Sequence, residues 1–222
     1  MRMPSPADHL RFFNAREEIE RHFTVLPHWE QPGATYFVTF RLGDSIPQGK
    51  LDEWSKQRDR WLATHAEPWN EEDEAEYHQL FSASIERWLD LGHGACVLRN
   101  PKVAGIVRSS LQHFQRQRCA QHAFVVMPNH VHVLLTVLDG HSMSDLVHSW
   151  KSFTAHEINK LLGISGSLWQ RDYFDRMIRD SVHFWNCVRY IRRNPVKACL
   201  AQGQYSIFEA DWVKTGEGGP GH

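Results

Sequence analysis

The chain has 222 residues, 41% of them hydrophobic and 12% aromatic, enough to build one domain around a buried core and too apolar for a disordered chain. Its 25 basic and 26 acidic residues give a net charge of −1, a balance that taken whole argues against a nucleic-acid binder. The charge is segregated, however: residues 44–98 net −7 and residues 99–200 net +8, so the second half points to a polyanionic partner.

No apolar run approaches the roughly 18 residues of a membrane span, and the N-terminus lacks the apolar core of a signal peptide. A cytoplasmic protein with no membrane partner is therefore expected. Cys96, Cys119, Cys187 and Cys199 form no CxxC pair and no zinc-ligand spacing, which suits reduced, buried or half-buried thiols.

Along the chain, residues 10–24 (LRFFNAREEIERHFT) read as a short helix within an N-terminal extension, residues 1–25. Ala34–Leu42 is β-branched and aromatic between two turn signals and reads as the first strand. Two helical stretches follow from Lys50 to Leu91, separated by Pro68, the second acidic in its first turn as the helix dipole favours. Asn100-Pro101 opens a helix with Val103, Ile106, Val107, Leu111 and Phe114 on one stripe. Two strands, Ala123–Met127 and His130–Leu138, flank a turn at Pro128-Asn129. Residues 142–162 form a long amphipathic helix, Leu168–Arg171 a short strand, and Asp180–Arg193 a last helix ending before Pro195. Residues 213–222 read as a disordered glycine-rich tail. This order describes an α+β domain, an antiparallel sheet with helices largely on one face.

Two constellations can carry chemistry. His130 and His132 stand at i and i+2 of a strand, on one face, as two ligands of one metal require. With 15 histidines present, about one HxH arises by chance, so the pair alone carries little weight. On the last helix Tyr190 lies off the apolar stripe of Phe184, Cys187, Val188 and Ile191, with Asn194 one turn above and His183 two turns below. Arg189, Arg192, Arg193 and Lys197 surround it, a field that would favour its phenolate and make it a nucleophile towards phosphorus. The plainer alternative is a tyrosine at the core boundary beside solvated arginines.

Three separated stretches in this order, VVMPNHVHVLL (residues 125–135), LWQRDYFDRMIRD (168–180) and YIRRNPVKACL (190–200), with LPHW and ATYFVTFRL ahead of them, resemble the HUH single-strand transposases. More narrowly they resemble the REP-associated tyrosine transposases, over about residues 26–200. The resemblance implies a ferredoxin-like sheet with the histidine strand central, in a domain placed over residues 26–212; the acidic helical insertion at 44–98 is the part the resemblance explains least. It implies His130, His132 and Asn194 as ligands of Mg²⁺ or Mn²⁺, and Tyr190 as the nucleophile. The implied reaction is nicking and rejoining of single-stranded, hairpin-forming DNA through a 5′-phosphotyrosine. Lys151, Arg171, Arg176, Arg179, Arg192, Arg193 and Lys197 are the expected phosphate contacts, with Trp150, Trp169, Tyr173 and Phe174 as base-stacking or core aromatics.

Two other readings stay open: a catalytically silent hairpin-binding protein, and a metal-dependent hydrolase without a covalent step. The sequence leaves monomer against homodimer open as well. The acidic insertion is expected to lie away from the DNA or to shield it, so that its deletion would strengthen non-specific binding at low salt.

Overall fold

The computed structural model describes residues 10–14, 16–17, 20–23, 27–65, 69 and 71–216. A hairpin of β1 (Glu20–Phe23) and β2 (Pro27–Glu30) precedes β3 (Thr35–Arg41), from which the insertion α1 (Gln48–Thr64), α2 (Glu71–Tyr77) and α3 (Ala83–Asp90) departs. A π-helical turn, His78–Ser82, joins α2 to α3. Then come α4 (Pro101–His113), β4 (Cys119–Val126), β5 (His130–Val137), α5 (Met143–Leu162), β6 (Phe174–Met177), α6 (Ser181–Lys197), β7 (Ser206–Glu209) and α7 (Asp211–Lys214).

The main sheet has the order β6-β3-β5-β4-β7 with every pair antiparallel. Its first four strands, with α4 and α5 as crossovers, reproduce the ferredoxin-like arrangement, and the histidine strand β5 is central. Alternation along β5 explains why: Val131, Val133 and Leu135 point into one apolar layer, and Leu134 into another, so both faces demand cover. Helices α4 and α5 cover the first face through Val103, Val107, Leu111, Leu146, Val147 and Trp150. Helix α6 covers the second through Phe184, Val188 and Ile191, each fully buried and worth about 1.5–3 kcal/mol. The crossover helices thus share one face as expected, while the last long helix lies opposite them.

Several expectations need correcting. The segment read as a helix over residues 10–24 is not helical where it is described: residues 10–14 form no regular element and 20–23 form β1. The reason is pairing, since the Thr35 N–H donates to the Arg11 carbonyl at 2.9 Å and the Phe13 N–H to the Ile178 carbonyl at 2.8 Å. Residues 168–171 contribute only a bridge, Leu42 with Trp169, and the edge strand is Phe174–Met177. Helix α6 does not stop before Pro195 but runs through it to Lys197, which keeps Asn194 helical and buried. Packing of α6 on the sheet outweighs the missing proline donor. The expected tail begins later than residue 213, because α7 reaches Lys214; residues 217–222 lie outside the described residues. All four cysteines are free, and Cys199 is exposed rather than half-buried.

The LPHW and RDYFD stretches meet in one clamp. His28 on β2 is buried between Asp175, 2.5 Å from Nδ1, and Asp172, 2.9 Å from Nε2, and it stacks on Tyr173 at 4.2 Å. Burial lowers the imidazolium's pKa, but the two aspartates outweigh it and raise it to about 9. A raised folded-state pKa stabilises fully below the unfolded value of about 6.5 and is lost as pH rises through 9. Folding stability should therefore fall between pH 6.5 and 9, by up to about 3 kcal/mol from this group, and the denaturation midpoint with it. A flat alkaline profile, with no titration of His28 near pH 9 by NMR, would refute the assignment.

Candidate active site

The histidine-bearing face of β5 continues onto its neighbours. Arg41 lies opposite His130, Thr39 opposite His132 and Phe37 opposite Leu134; on β6, Arg176 pairs with Phe37 and Phe174 with Thr39. These side chains share one face because cross-strand partners always do.

Both imidazoles are held at their Nδ1 atoms. Asn129 donates from Nδ2 to the carbonyls of Leu89 and His93, each at 3.2 Å, so its Oδ1 faces His130 and accepts from Nδ1–H at 2.7 Å. That leaves a lone pair on His130 Nε2. Thr39 Oγ1 lies 2.7 Å from His132 Nδ1, and the two Nε2 atoms are 3.0 Å apart. With no cation between them, His132 must donate from Nε2 and accept from the Thr39 hydroxyl. With a cation there, His132 takes the other tautomer and Thr39 accepts. A rotatable hydroxyl serves both states. Burial pushes His130 down to about 3; His132 is also well below its ordinary value, from burial first and then from His130, Arg176 and Lys197. Both rings are thus neutral at pH 7, the form that binds metal.

Helix α6 brings Tyr190 to this face. Its ring meets His132 edge-on at 5.1 Å and Phe37 at 5.8 Å. Its hydroxyl is buried without a well-formed hydrogen bond, and so are both amide atoms of Asn194, which lies beside it. Buried polar groups are ordinarily satisfied, so a cluster of this kind suits a polar or cationic ligand. Two neutral imidazole nitrogens, an amide oxygen and a phenol oxygen form a donor set that fits a divalent cation. Among the described residues there is no group of three His, Cys, Asp or Glu side chains able to hold a metal, so a cation on the two imidazoles would need the Asn194 amide as a further donor.

The expected cationic activation of Tyr190 is not what surrounds it. Its pKa is raised, by burial first and then by Glu86 and Asp90; Arg176 and Asn194 pull the other way. Both carboxylates come from α3, which also supplies the Leu89 carbonyl that orients Asn129. The acidic insertion therefore reaches the turn that leads into the histidine strand. Deleting it would disturb Asn129 as well as the charge balance. Glu86, whose own pKa burial raises, is a site residue that sequence spacing alone does not reveal, as are Thr39 and Asn129.

The expected phosphate contacts separate. Arg176 lies over the Phe37 ring at 5.3 Å, and with Arg179 it lines the pocket beside the site. Lys197 pairs with Asp90 at 2.5 Å, and Arg192 forks onto Glu209 at 2.7 and 3.0 Å. Those two cations are engaged in holding α6 to its neighbours. Arg193 and Arg171 are exposed, and Lys151 donates to the Arg171 carbonyl at 2.6 Å. Trp150, Trp169 and Tyr173 are core residues, while Phe174 is half-buried at the pocket.

Residues 98–194 match the family model of the IS200-like transposases, a span that includes both histidines, Tyr190 and Asn194. No curated protein matches the chain. Among solved structures it is similar to a REP-associated tyrosine transposase bound to a REP hairpin, with 18% identity, a TM-score of 0.47 and coverage of 79% of this chain and 74% of that one. No helix among the described residues is long and apolar enough to cross a membrane.

Thr39 bonds the candidate ligand His132 from outside the matched span. Thr39→Val keeps the shape of the side chain and removes the hydroxyl. Mn²⁺ affinity should fall about 10- to 100-fold by calorimetry, as for other supports of a metal-ligating histidine. Unchanged affinity would remove Thr39 from the site.

Proposed function

We propose that this protein is a metal-dependent, REP-type single-strand DNA nickase and strand transferase that acts on hairpin-forming DNA in the cytoplasm. The observation that carries the reading is the convergence of Tyr190, His130 and His132 on one face of the sheet, with the unsatisfied Asn194 amide beside them.

His130, His132 and Asn194 would hold Mg²⁺ or Mn²⁺. When bound, such a cation polarises a non-bridging phosphate oxygen and offsets the charge that develops in the transition state. The chain's own residues do the rest. Asn129 and Thr39 fix the imidazoles, so that the ligand geometry exists before substrate arrives. The packing of Tyr190 against His132 and Phe37 limits its ring to a narrow range of aim. Tyr190 Oη, on losing its proton, forms a bond to phosphorus while the bond to the 3′-oxygen breaks and that oxygen departs as a hydroxyl. The resulting 5′-phosphotyrosine conserves the phosphodiester energy, so reversal by another 3′-hydroxyl needs no ATP. Because Tyr190 is disfavoured as a phenolate in the protein alone, the reaction should depend strictly on the divalent cation.

The test is a labelled single-stranded hairpin oligonucleotide incubated with protein and Mg²⁺ or Mn²⁺. A protein–DNA adduct that survives denaturation and disappears with EDTA supports the reading. Cleavage without an adduct would favour the hydrolase, and a mobility shift without cleavage the silent hairpin binder.

A further inference from the structure

Beside the histidine face lies a pocket of about 440 Å³, within the roughly 300–1,000 Å³ typical of small-ligand sites. Its floor includes Phe37, which stacks on His132 at 5.3 Å, and Thr39, which bonds the same ring. Its walls bring together the half-buried aromatics Phe13, Trp29, Trp69, Tyr77 and Phe174. Trp69 and Tyr77 come from the insertion and Phe174 from the edge strand, so the pocket exists only because the insertion folds over β6.

The chemistry of the lining selects an occupant. His78 and His183 also line it, and burial holds each near 4, uncharged at neutral pH. Glu86, Asp175, Arg176 and Arg179 line it as well, so flat aromatic faces stand beside a rim of mixed charge, an arrangement that can seat a nucleobase with its phosphate alongside. Arg176 adds a fixed positive charge, with its buried Nε unpartnered and its guanidinium over the Phe37 ring.

We propose that this pocket takes one unpaired nucleobase of the DNA strand, stacked on the half-buried aromatics with its phosphate at Arg176, which sets the neighbouring phosphodiester on the His130–His132 face. The inference rests on the DNA strand-transfer reading. It gives the insertion a role in substrate positioning, since the stacked base fixes which phosphate reaches Tyr190. Stacking is tolerant of sequence, so the pocket contributes register more than base identity.

The test uses the full chain in EDTA, where no cleavage intervenes. The probe is a mixed-sequence single strand carrying 5-iodouracil in place of thymine, longer than the roughly 4–16 nucleotides one such domain covers. Ultraviolet cross-linking joins 5-iodouracil to an aromatic ring stacked on it, and peptide mapping should place the cross-link on Trp69, Tyr77 or Phe174. Cross-links confined to residues outside the pocket would overturn this proposal and leave the DNA reading standing; absence of any DNA binding would overturn both. Trp69→Leu should weaken binding of the same strand by about 5- to 150-fold, the range of one lost base stack. Wild-type affinity in that variant would also overturn the proposal. If the substitution unfolds the protein, the cross-link map of the native chain decides.

Discussion

Replacing Tyr190 by Phe should abolish the denaturation-resistant DNA adduct and lower strand cleavage by three orders of magnitude or more, about 4 kcal/mol of transition-state stabilisation. No other group among those described at the site both touches His132 and carries a hydroxyl buried without a partner beside Asn194. The substitution is also structurally mild. The phenyl ring keeps its edge contacts with Phe37 and His132, and the atom removed makes no well-formed hydrogen bond, only approaches to Glu86 and Asn194. The variant should therefore stay within about 1 kcal/mol of the native protein's stability. It should also bind hairpin DNA undiminished. An adduct of equal yield in this variant would remove Tyr190 from the mechanism. A loss of stability together with activity would instead assign Tyr190 a packing role.

The second large effect is expected from His132→Ala. Native protein should gain thermal stability as Mn²⁺ is added, because a ligand that binds only the folded state stabilises it by about 2.7 kcal/mol at a concentration 100 times its Kd. His132→Ala should erase that gain. His132 Nε2 is one of the two imidazole nitrogens that meet 3.0 Å apart, and its loss leaves His130 Nε2 facing a void. Some cation-independent destabilisation is expected as well, since Phe37 and Tyr190 lose a packed ring and the Thr39 hydroxyl loses its partner. The two effects separate in a titration: the void lowers the melting temperature at every Mn²⁺ concentration, whereas the missing ligand flattens its slope. A variant whose melting temperature still climbs with Mn²⁺ would show that the cation sits elsewhere.

The candidate site residues share faces that short-range geometry makes legible, while their chemical roles came from the family resemblance. Two histidines at i and i+2 of an apolar strand must share a face, and Tyr190 and Asn194 one helical turn apart must share a side. The strands at residues 34–42 and 123–138 were legible for the same reason: apolar alternation and turn residues act over a few positions. Where long-range contacts decide, local pattern misled. Residues 10–24 carry a helical spacing, but Arg11 and Phe13 find backbone partners at Thr35 and Ile178. Asn194-Pro195 reads as a stop, but burial of Asn194 and Pro195 carries the helix onward.

By itself the sequence determined an α+β order of elements and the split of charge between an acidic and a basic stretch, while the ferredoxin-like sheet, its central histidine strand and the nucleophile candidate came from the family resemblance. Only the tertiary structure decided what that split does. Charge counted along the chain is blind to which groups meet, and electrostatic energy depends on distance and burial. The fold carries Glu86 and Asp90 of the −7 segment to Tyr190, pairs Lys197 of the +8 segment with Asp90, and leaves Arg176 at the pocket. A net charge near zero is thus the sum of two stretches that the fold brings into contact at the site.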